Sequence, residues 1–357
     1  MKRRPVPAAW TVVLLAATLS ACSLTATEEE PSAATGGDAG GRVVLVTHES
    51  FSLPKKLVKE FEAESGIDLE VRAAGDAGTL TTKLAVTADN PTGDVAFGVD
   101  NTFASRALDE GVFATTDLEV PAGAGDYTVP GDDGARMVPV DTGNVCVNVD
   151  TTWFEERDLD PPATLEDLAD PAYRDLFVTP SALSSSPGLA FLLATVAEYG
   201  DDWPSYWDRL LGNGTRVVDG WSDAYFTDFT GGGGDGDRPV VLSYDSSPAF
   251  TVPKGGGAST TAALLDTCFR QVEYAGVLEG ADNPEGGAAV VEWLLSEDVQ
   301  AALPDSMYVF PVREGVALPP DWEKYAEQPD DPFTLDPADI AAHRDDWLEQ
   351  WRDLTTR

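Results

Sequence analysis

The chain has 357 residues, and its 62 Asp and Glu residues against 23 Lys and Arg residues give a formal net charge of −39. A surface this acidic repels nucleic acid and anionic lipid, which argues against both as binding partners. The acidic residues are spread along the whole chain, so adaptation to a salty environment explains them better than steering of a cationic ligand. The length is sufficient for two lobes, each with its own core.

The first 22 residues predict an export signal. Basic residues at positions 2–4 precede an apolar stretch over 10–19, which is too short to span a bilayer. Small residues before Cys22 resemble a bacterial lipobox, so we expect Cys22 to become the lipid-modified first residue; a plain signal peptide is the alternative. Residues 23–41 have almost no large apolar side chain and predict a disordered tether. We therefore expect a protein that lipid holds at the outer face of the cell membrane.

Two cysteines remain once the lipobox cysteine is set aside, Cys146 and Cys268. Outside the cell an even pair of cysteines favours a disulfide. Two buried free thiols would leave the same pattern, so the spacing leaves both possibilities open.

Strands and helices alternate in the first part of the folded body. Strands are predicted at 43–47, 67–71 and 94–99, with helices at 57–65 and 79–88 between them. This order predicts a parallel sheet with right-handed crossovers. The loops that follow the strands then meet at the carboxyl edge of the sheet, where ligands bind. These loops carry the candidate ligand-binding residues Glu49, Ser50, Asp76, Asp100 and Asn101.

The pattern restarts at Asp141, another candidate binding residue. Residues 144–149 predict a strand that crosses between the lobes, and Ser185 and Ser186 precede an apolar helix over 189–199. Serine hydroxyls and free backbone N–H groups at a helix N-terminus can contact a polar ligand. Simple capping of the helix is the alternative.

Two aromatic segments follow short predicted strands. The first carries Trp221 and Tyr225, and the second carries Tyr244. Aromatic rings beside hydroxyls and carboxylates predict a rim for a flat, cationic organic ligand. Each ring taken singly could equally be a core or lobe-interface residue. Two such segments in one exported chain favour the ligand-binding interpretation.

The last third predicts a strand at 272–275, helices at 287–295 and to Leu303, and a C-terminal helix. Asp336 is placed to cap that final helix. One of its faces forms a stripe that should pack on a lobe, made by Ile340, Arg344, Trp347, Trp351 and Leu354.

The sequence contains few motifs that indicate a catalytic site. His48 and His343 are its only histidines, and no cysteine cluster accompanies either, which argues against a zinc site. The segment Ser52-Leu53-Pro54-Lys55 matches an S-x-x-K spacing but lacks the companion signatures. We therefore expect a protein that is not an enzyme and has no catalytic residue, metal or cofactor. A secreted hydrolase is the alternative from another class.

Several motifs together resemble one family. They are Glu49-Ser50-Phe51, Gly98-Val99-Asp100-Asn101, Ser186-Pro187-Gly188-Leu189, Gly220-Trp221-Ser222-Asp223-Ala224-Tyr225, Leu242-Ser243-Tyr244, Pro311-Val312 and Ala341-Ala342-His343-Arg344. With them the chain from residue 43 to its end resembles the substrate-binding lipoproteins of thiamine ABC importers, in the type II periplasmic-binding-protein superfamily.

The resemblance implies an α/β fold with two lobes, a two-strand hinge and a ligand cleft between the lobes. Lobe 1 would comprise residues 42–140 plus about 277–357, and lobe 2 residues 141–276. The implied function is capture of thiamine, or a thiamine phosphate, by closure of the lobes, followed by delivery to an ABC importer permease. The receptor is expected to be a monomer.

The resemblance also implies roles for individual residues. Trp221 and Tyr244 would stack on the ligand and Tyr225 would support Trp221, while Tyr308 stands where relatives carry Trp. His48 and Glu49 stand where relatives carry Tyr and Asp. These departures leave open whether the ligand is thiamine, a phosphate ester or a related pyrimidine. The full set of expected ligand-binding residues is Glu49, Ser50, Asp76, Asp100, Asn101, Asp141, Ser185, Ser186, Trp221, Tyr225, Tyr244 and Tyr308.

Two other receptor classes remain as alternatives. Ferric-ion receptors of this superfamily resemble one another in using adjacent tyrosines, and this chain has no Tyr-Tyr pair. A receptor for a polyamine or another organic cation would keep the same acidic and aromatic cleft.

Overall fold

The computed structural model describes residues 40–132 and 135–357. The predicted signal segment, the lipobox cysteine Cys22 and nearly all of the predicted tether lie outside the described residues. Gly41, the last residue of that tether, already belongs to the first strand. The strands are β1 (Gly41–Thr47), β2 (Ile67–Ala73), β3 (Val95–Asp100), β4 (Val138–Asp150), β5 (Phe177–Pro180), β6 (Arg216–Val218), β7 (Val240–Tyr244), β8 (Thr261–Val277) and β9 (Phe310–Pro311).

Helices cover both faces of the sheet that these strands form. They are α1 (Lys55–Ser65), α2 (Ala77–Val86), α3 (Ala104–Asp109), α4 (Thr151–Glu155), α5 (Ser186–Tyr199), α6 (Trp203–Gly212), α7 (Pro284–Leu294), α8 (Glu297–Met307), α9 (Pro320–Tyr325) and α10 (Pro337–Thr355). None of the helices in the described residues is long and apolar enough to cross a membrane.

The strand β1 shows why its apolar run is continuous. Val43 and Leu45 pack into the core on one face of the sheet, and Val44 and Val46 pack into the core on the other face. A parallel strand buried on both faces has no polar face to alternate with. β1 pairs in parallel with β2 and with β3, which confirms the parallel arrangement predicted for the first part of the body.

The rest of the sheet is mixed, which the sequence did not predict. The strand order is β2-β1-β3-β8-β4-β7-β5-β6, with β9 on β4, and β8 and β4 are antiparallel to each other. The strands predicted at 144–149 and 272–275 are parts of these two longer strands. A disulfide joins Cys146 of β4 to Cys268 of β8. This long pair forms the centre of the sheet and the two-strand hinge of the fold.

The helix α5 begins three residues earlier than predicted and ends, as predicted, before Gly200. Its first turn lies against the segment that follows β5. A Cβ atom on Gly188 would lie 2.5 Å from the carbonyl oxygen of Ser181, so only glycine allows this approach. The close contact places Ser185 and Ser186 at the carboxyl edge of the sheet.

The C-terminal helix α10 begins as predicted, because the Asp336 carboxylate accepts a hydrogen bond from Ala338 N at 2.8 Å. Its predicted stripe faces the protein, with Ile340, Arg344, Trp351 and Leu354 buried.

Candidate ligand-binding site

A small cavity lies at the carboxyl edge of the sheet, where the loops after β1 and β2 approach the start of α5. Its free volume is about 40 Å³, well below the roughly 300–1,000 Å³ of typical ligand pockets. An organic ligand therefore enters only when the walls of the cavity move apart. The walls are formed by His48, Ser50, Asp76, Ala77, Ser186, Pro187, Trp221, Tyr244, Gln271, Glu273, Met307 and Val309.

Asp76 joins the two sides of the cavity. Its Oδ1 accepts hydrogen bonds from Ala77 N at 2.7 Å and from Ser186 N at 3.2 Å. Its Oδ2 accepts one from Trp221 N at 3.1 Å. Burial raises the pKa of Asp76, and the backbone donors and the nearby His48 offset part of that rise. One carboxylate thus caps α2 and also holds the starts of α5 and of the Trp221 segment.

Three buried carboxyl groups lie side by side at the cavity, and one of them, Glu273, forms part of its wall. Glu273 of β8 pairs in register with Asp100 of β3 and with Asp141 of β4, and we call these three residues the carboxylate row. Burial raises the pKa of Asp100 to about 6, although hydrogen bonds from Ser186 and Thr102 counteract the rise. Burial and the neighbouring Glu273 raise the pKa of Asp141 far above its ordinary value.

His48 lies against the same row. Its Nε2 is 3.5 Å from Glu273 Oε1, and Ser50 N donates to its Nδ1 at 3.2 Å. A neutral ring that accepts at Nδ1 carries its proton on Nε2, facing Glu273. A Cβ atom on Gly98 would lie 2.2 Å from His48 Cδ2, and Gly98 has a φ of +101°. Glycine at this position therefore makes the space that the imidazole occupies.

The opposite wall is aromatic. The indole of Trp221 stacks on Tyr225 with 5.2 Å between ring centroids, and its Nε1 donates to Ser243 Oγ at 3.0 Å. Tyr244 meets Trp221 edge-on at 6.3 Å. Its hydroxyl donates to Gln271 Oε1 at 3.3 Å. These contacts fix the rings, so the wall is preorganised for a flat ligand.

A second cavity adjoins the first and shares Trp221 with it. Its free volume is about 390 Å³. Tyr225 and Tyr308 line it, together with Lys254 and several hydroxyl groups. The Tyr308 ring lies 6.2 Å from that of Trp221 and 3.8 Å from that of Phe250.

The structure brings many of the expected binding residues to these two cavities. Glu49 is exposed at the rim, where its Oε1 lies 3.4 Å from the position of a Cβ on Gly220. Burial and the nearby carboxylates of Asp76 and Asp223 raise its pKa. The expected residues that line a cavity are Ser50, Asp76, Ser186, Trp221, Tyr225, Tyr244 and Tyr308.

Four expected residues are placed differently. Asp100, Asp141 and Ser185 are fully buried and lie outside the cavity walls. Asn101 faces away from both cavities, since its Nδ2 donates to Arg270 O at 3.1 Å and its Oδ1 accepts from Val272 N at 2.9 Å. Both polar groups of its amide are bound by β8, so contact between Asn101 and the ligand stays a prediction that requires these bonds to break.

Sequence reasoning left out several residues of the wall. Glu273 and Gln271 come from β8, Met307 is the last residue of α8, and Val309 follows that helix. Glu273 did leave a signal, because an acidic side chain inside the apolar strand predicted at 272–275 needs a buried partner. The sequence marks His48 as a departure from relatives, and the structure places it in the cavity wall.

The two-lobed α/β fold and the cavity at its hinge define a type II periplasmic binding protein. Residues 56–330 match the family model of the bacterial extracellular solute-binding proteins, and the chain belongs to this family. It is 30% identical over 327 residues to the thiamine-binding periplasmic protein of Escherichia coli, an alignment that covers 88% of this chain and 94% of that one. The thiamine-binding periplasmic protein of Brucella melitensis is 27% identical over 335 residues, an alignment that covers 91% of this chain and 95% of that one.

Solved structures give the same picture. A periplasmic thiamin binding protein superposes with a TM-score of 0.77 at 28% identity, covering 88% of this chain and 96% of that chain. The ferric binding protein from Campylobacter jejuni superposes with a TM-score of 0.68 at 15% identity, covering 87% of this chain and 99% of that chain. At that identity the second likeness concerns the fold alone.

Proposed function

We propose that this protein is the extracytoplasmic substrate-binding component of an ABC importer and that its ligand is thiamine. The protein captures the ligand by closure of its lobes and delivers it to a membrane permease. The observation that carries the proposal is the cavity whose walls combine the rings of Trp221 and Tyr244 with the carboxylates of Asp76 and Glu273. Similarity to thiamine-binding relatives over nearly their full length supports the same ligand.

The chemistry of thiamine suits these walls. Its thiazolium ring is a permanent cation, for which a well-placed aromatic ring contributes about 0.5–2 kcal/mol. Its aminopyrimidine is flat and presents donors and acceptors that Ser50, Ser186 and Gln271 can match. Among the described residues that line the smaller cavity there is no Lys or Arg, which favours the cationic part of the ligand there.

The second cavity is where a phosphate ester of thiamine would extend. Lys254 and the hydroxyls of Ser247, Thr251 and Thr260 belong to its walls, and these groups suit an anion. If thiamine phosphates are ligands, the Lys254→Ala substitution weakens the binding of thiamine phosphate more than the binding of thiamine. Equal weakening of both ligands, or of neither, would assign the phosphate elsewhere.

Closure follows from the topology that we infer for the lobes. Residues 42–140 with about 277–357 form lobe 1, residues 141–276 form lobe 2, and β4 and β8 run between them. The lobes separate by bending at these strands to admit the ligand, and the closed form presents a surface to the permease. Small-angle scattering curves that are identical with and without thiamine would contradict this movement.

The protein acts outside the cytoplasmic membrane, like the extracellular family to which it belongs. We infer that lipid on Cys22 anchors it there, that it works as a monomer and that it is a receptor rather than an enzyme. A Cys22→Ala variant should then be released into the medium, and retention of this variant in the membrane fraction would argue against the lipid anchor.

Calorimetric titration tests the ligand. The wild-type protein should bind thiamine saturably and should not bind spermidine or ferric citrate. Trp221→Ala should lose most of the affinity, whereas Trp293→Ala should keep it. Trp293 stacks on Phe61 at 4.7 Å on another part of the surface of lobe 1 and lines neither cavity. Binding of spermidine or iron in place of thiamine would move the protein to another receptor class.

A further inference from the structure

Glu273 has the position of a counter-ion for a cationic ligand. It lies on hinge strand β8, lines the small cavity and has 7% of its side chain exposed. A carboxylate held this deep is stabilised by a nearby positive charge. Its neighbours in the carboxylate row, Asp100 and Asp141, carry no positive charge, although Asp141 can donate a hydrogen bond to Glu273 when it is protonated.

His48 lies directly against Glu273. The Nε2 of its imidazole is 3.5 Å from Glu273 Oε1, and its ring occupies the space that Gly98 leaves by lacking a Cβ. The ring also packs against Phe97 with 5.6 Å between centroids. In the structure the ring accepts a hydrogen bond from Ser50 N at Nδ1 and is therefore neutral. Protonation at Nδ1 turns it into an imidazolium, which is flat, aromatic and positively charged like an organic cation.

We propose that Glu273 is the counter-ion for the positive charge of the ligand. In the ligand-free protein His48 pairs with this carboxylate, and it moves away from the carboxylate when the ligand binds. The inference rests on the proposed function, since it takes thiamine as the cation. Competition for one carboxylate makes the binding of ligand and the protonation of His48 mutually unfavourable.

The direction of the pH dependence follows from the groups that face His48. These are Glu273 on β8, Asp76 at the start of α2 and Glu49 in the same loop. Burial lowers the pKa of His48, but the charges of these three carboxylates together outweigh it, so the pKa is raised. The row members Asp100 on β3 and Asp141 on β4 and the hydroxyl of Tyr244 on β7 face Glu273 in turn. A bound cation lowers the pKa of His48, so binding releases a proton.

The size of the effect is bounded by linkage. One released proton makes the dissociation constant fall by up to about tenfold per pH unit, between the pKa of His48 in the complex and that in the free protein. Thiamine therefore binds more weakly as pH falls and His48 becomes charged. Above both pKa values the affinity no longer depends on this group.

Calorimetry measures the proton directly. Thiamine is titrated into the full-length protein at pH 6, 7 and 8 in two buffers that differ in enthalpy of ionisation. We expect proton release in the wild type, little or none in His48→Gln, and at least tenfold weaker binding at pH 8 in Glu273→Gln. His343→Gln is the matched control, because His343 is exposed on α10 and should leave the proton release unchanged.

Two further comparisons keep the test decisive. Asp141→Asn separates the sources of the proton: loss of release in this variant, with release kept in His48→Gln, would assign the proton to the carboxylate row and overturn our inference. Without ligand, NMR titration should show a lower pKa of His48 in Glu273→Gln than in the wild type, and an equal pKa would also overturn it. Failure of the wild type to bind thiamine would instead overturn the proposed function, and the NMR titration would still decide the pairing.

Discussion

Replacement of Asp76 by alanine should weaken thiamine binding while leaving the protein folded. The carboxylate accepts two hydrogen bonds from the other side of the cavity, from Ser186 N and Trp221 N, and these bonds favour the closed form of the cleft on which binding depends. Hydrogen bonds to a charged group contribute about 1.5–3 kcal/mol each. Burial already raises the pKa of Asp76, so part of that gain is spent on desolvation and we take the lower end, about 3 kcal/mol in total. This corresponds to roughly 150-fold weaker binding.

The assay is calorimetric titration of thiamine into Asp76→Ala, with thermal unfolding measured on the same samples. Asp150→Ala is the matched control, because Asp150 is also a buried cap, accepting from Trp153 N at 3.0 Å, but lines neither cavity. It should lose about 1–2 kcal/mol of folding stability and keep its affinity. A folded Asp76→Ala variant that binds thiamine within about threefold of the wild type would refute the reasoning. A threefold change in the dissociation constant is less than about 1 kcal/mol of binding free energy, well below the expected value of about 3 kcal/mol.

Three other changes have expected outcomes. Reduction of the Cys146–Cys268 disulfide, whose cysteines are 122 residues apart, should lower the free energy of unfolding by about 2–5 kcal/mol; an unchanged urea midpoint would contradict this. Burial raises the pKa of Asp245 to about 6, so the folded state keeps a proton that the unfolded chain has lost between about pH 4 and 6. The free energy of unfolding of Asp245→Asn, minus that of the wild type, should therefore rise with pH through this window and then stay constant. Urea unfolding measures this difference, and a difference that does not change with pH would count against the prediction. Gly98→Ala should cost at least about 1 kcal/mol and displace His48, which thermal unfolding and the NMR titration of that histidine can check.

The strands and helices of the first part of the body could be predicted because their signals are local. β1 is a continuous apolar run, and α1 ends at Gly66, whose φ of +73° suits glycine. α2 begins at Ala77, two residues earlier than predicted, directly after its capping residue Asp76. Local patterns of this kind are sufficient for the presence of an element and less so for its first residue.

The position of β8 could not be predicted, and the site depends on it. β8 enters the sheet antiparallel between β3 and β4, although its residues are more than 150 positions from those of β3. A purely parallel sheet would leave Asn101 free at the edge, whereas the inserted strand binds both groups of its amide. The same insertion brings Glu273 beside Asp100 and Asp141. Contacts between residues so far apart in sequence leave no periodic signal in either segment.

The central claim is that a cationic ligand lies between an aromatic wall and a buried carboxylate. A crystal structure of the protein with thiamine tests it most directly. Our account predicts a ring of thiamine against Trp221 and Tyr244, with the thiazolium near the carboxylate of Glu273 and His48 moved away from that carboxylate. Thiamine bound elsewhere, or bound in the cavity with its positive ring remote from Glu273 and His48 unmoved, would contradict the account.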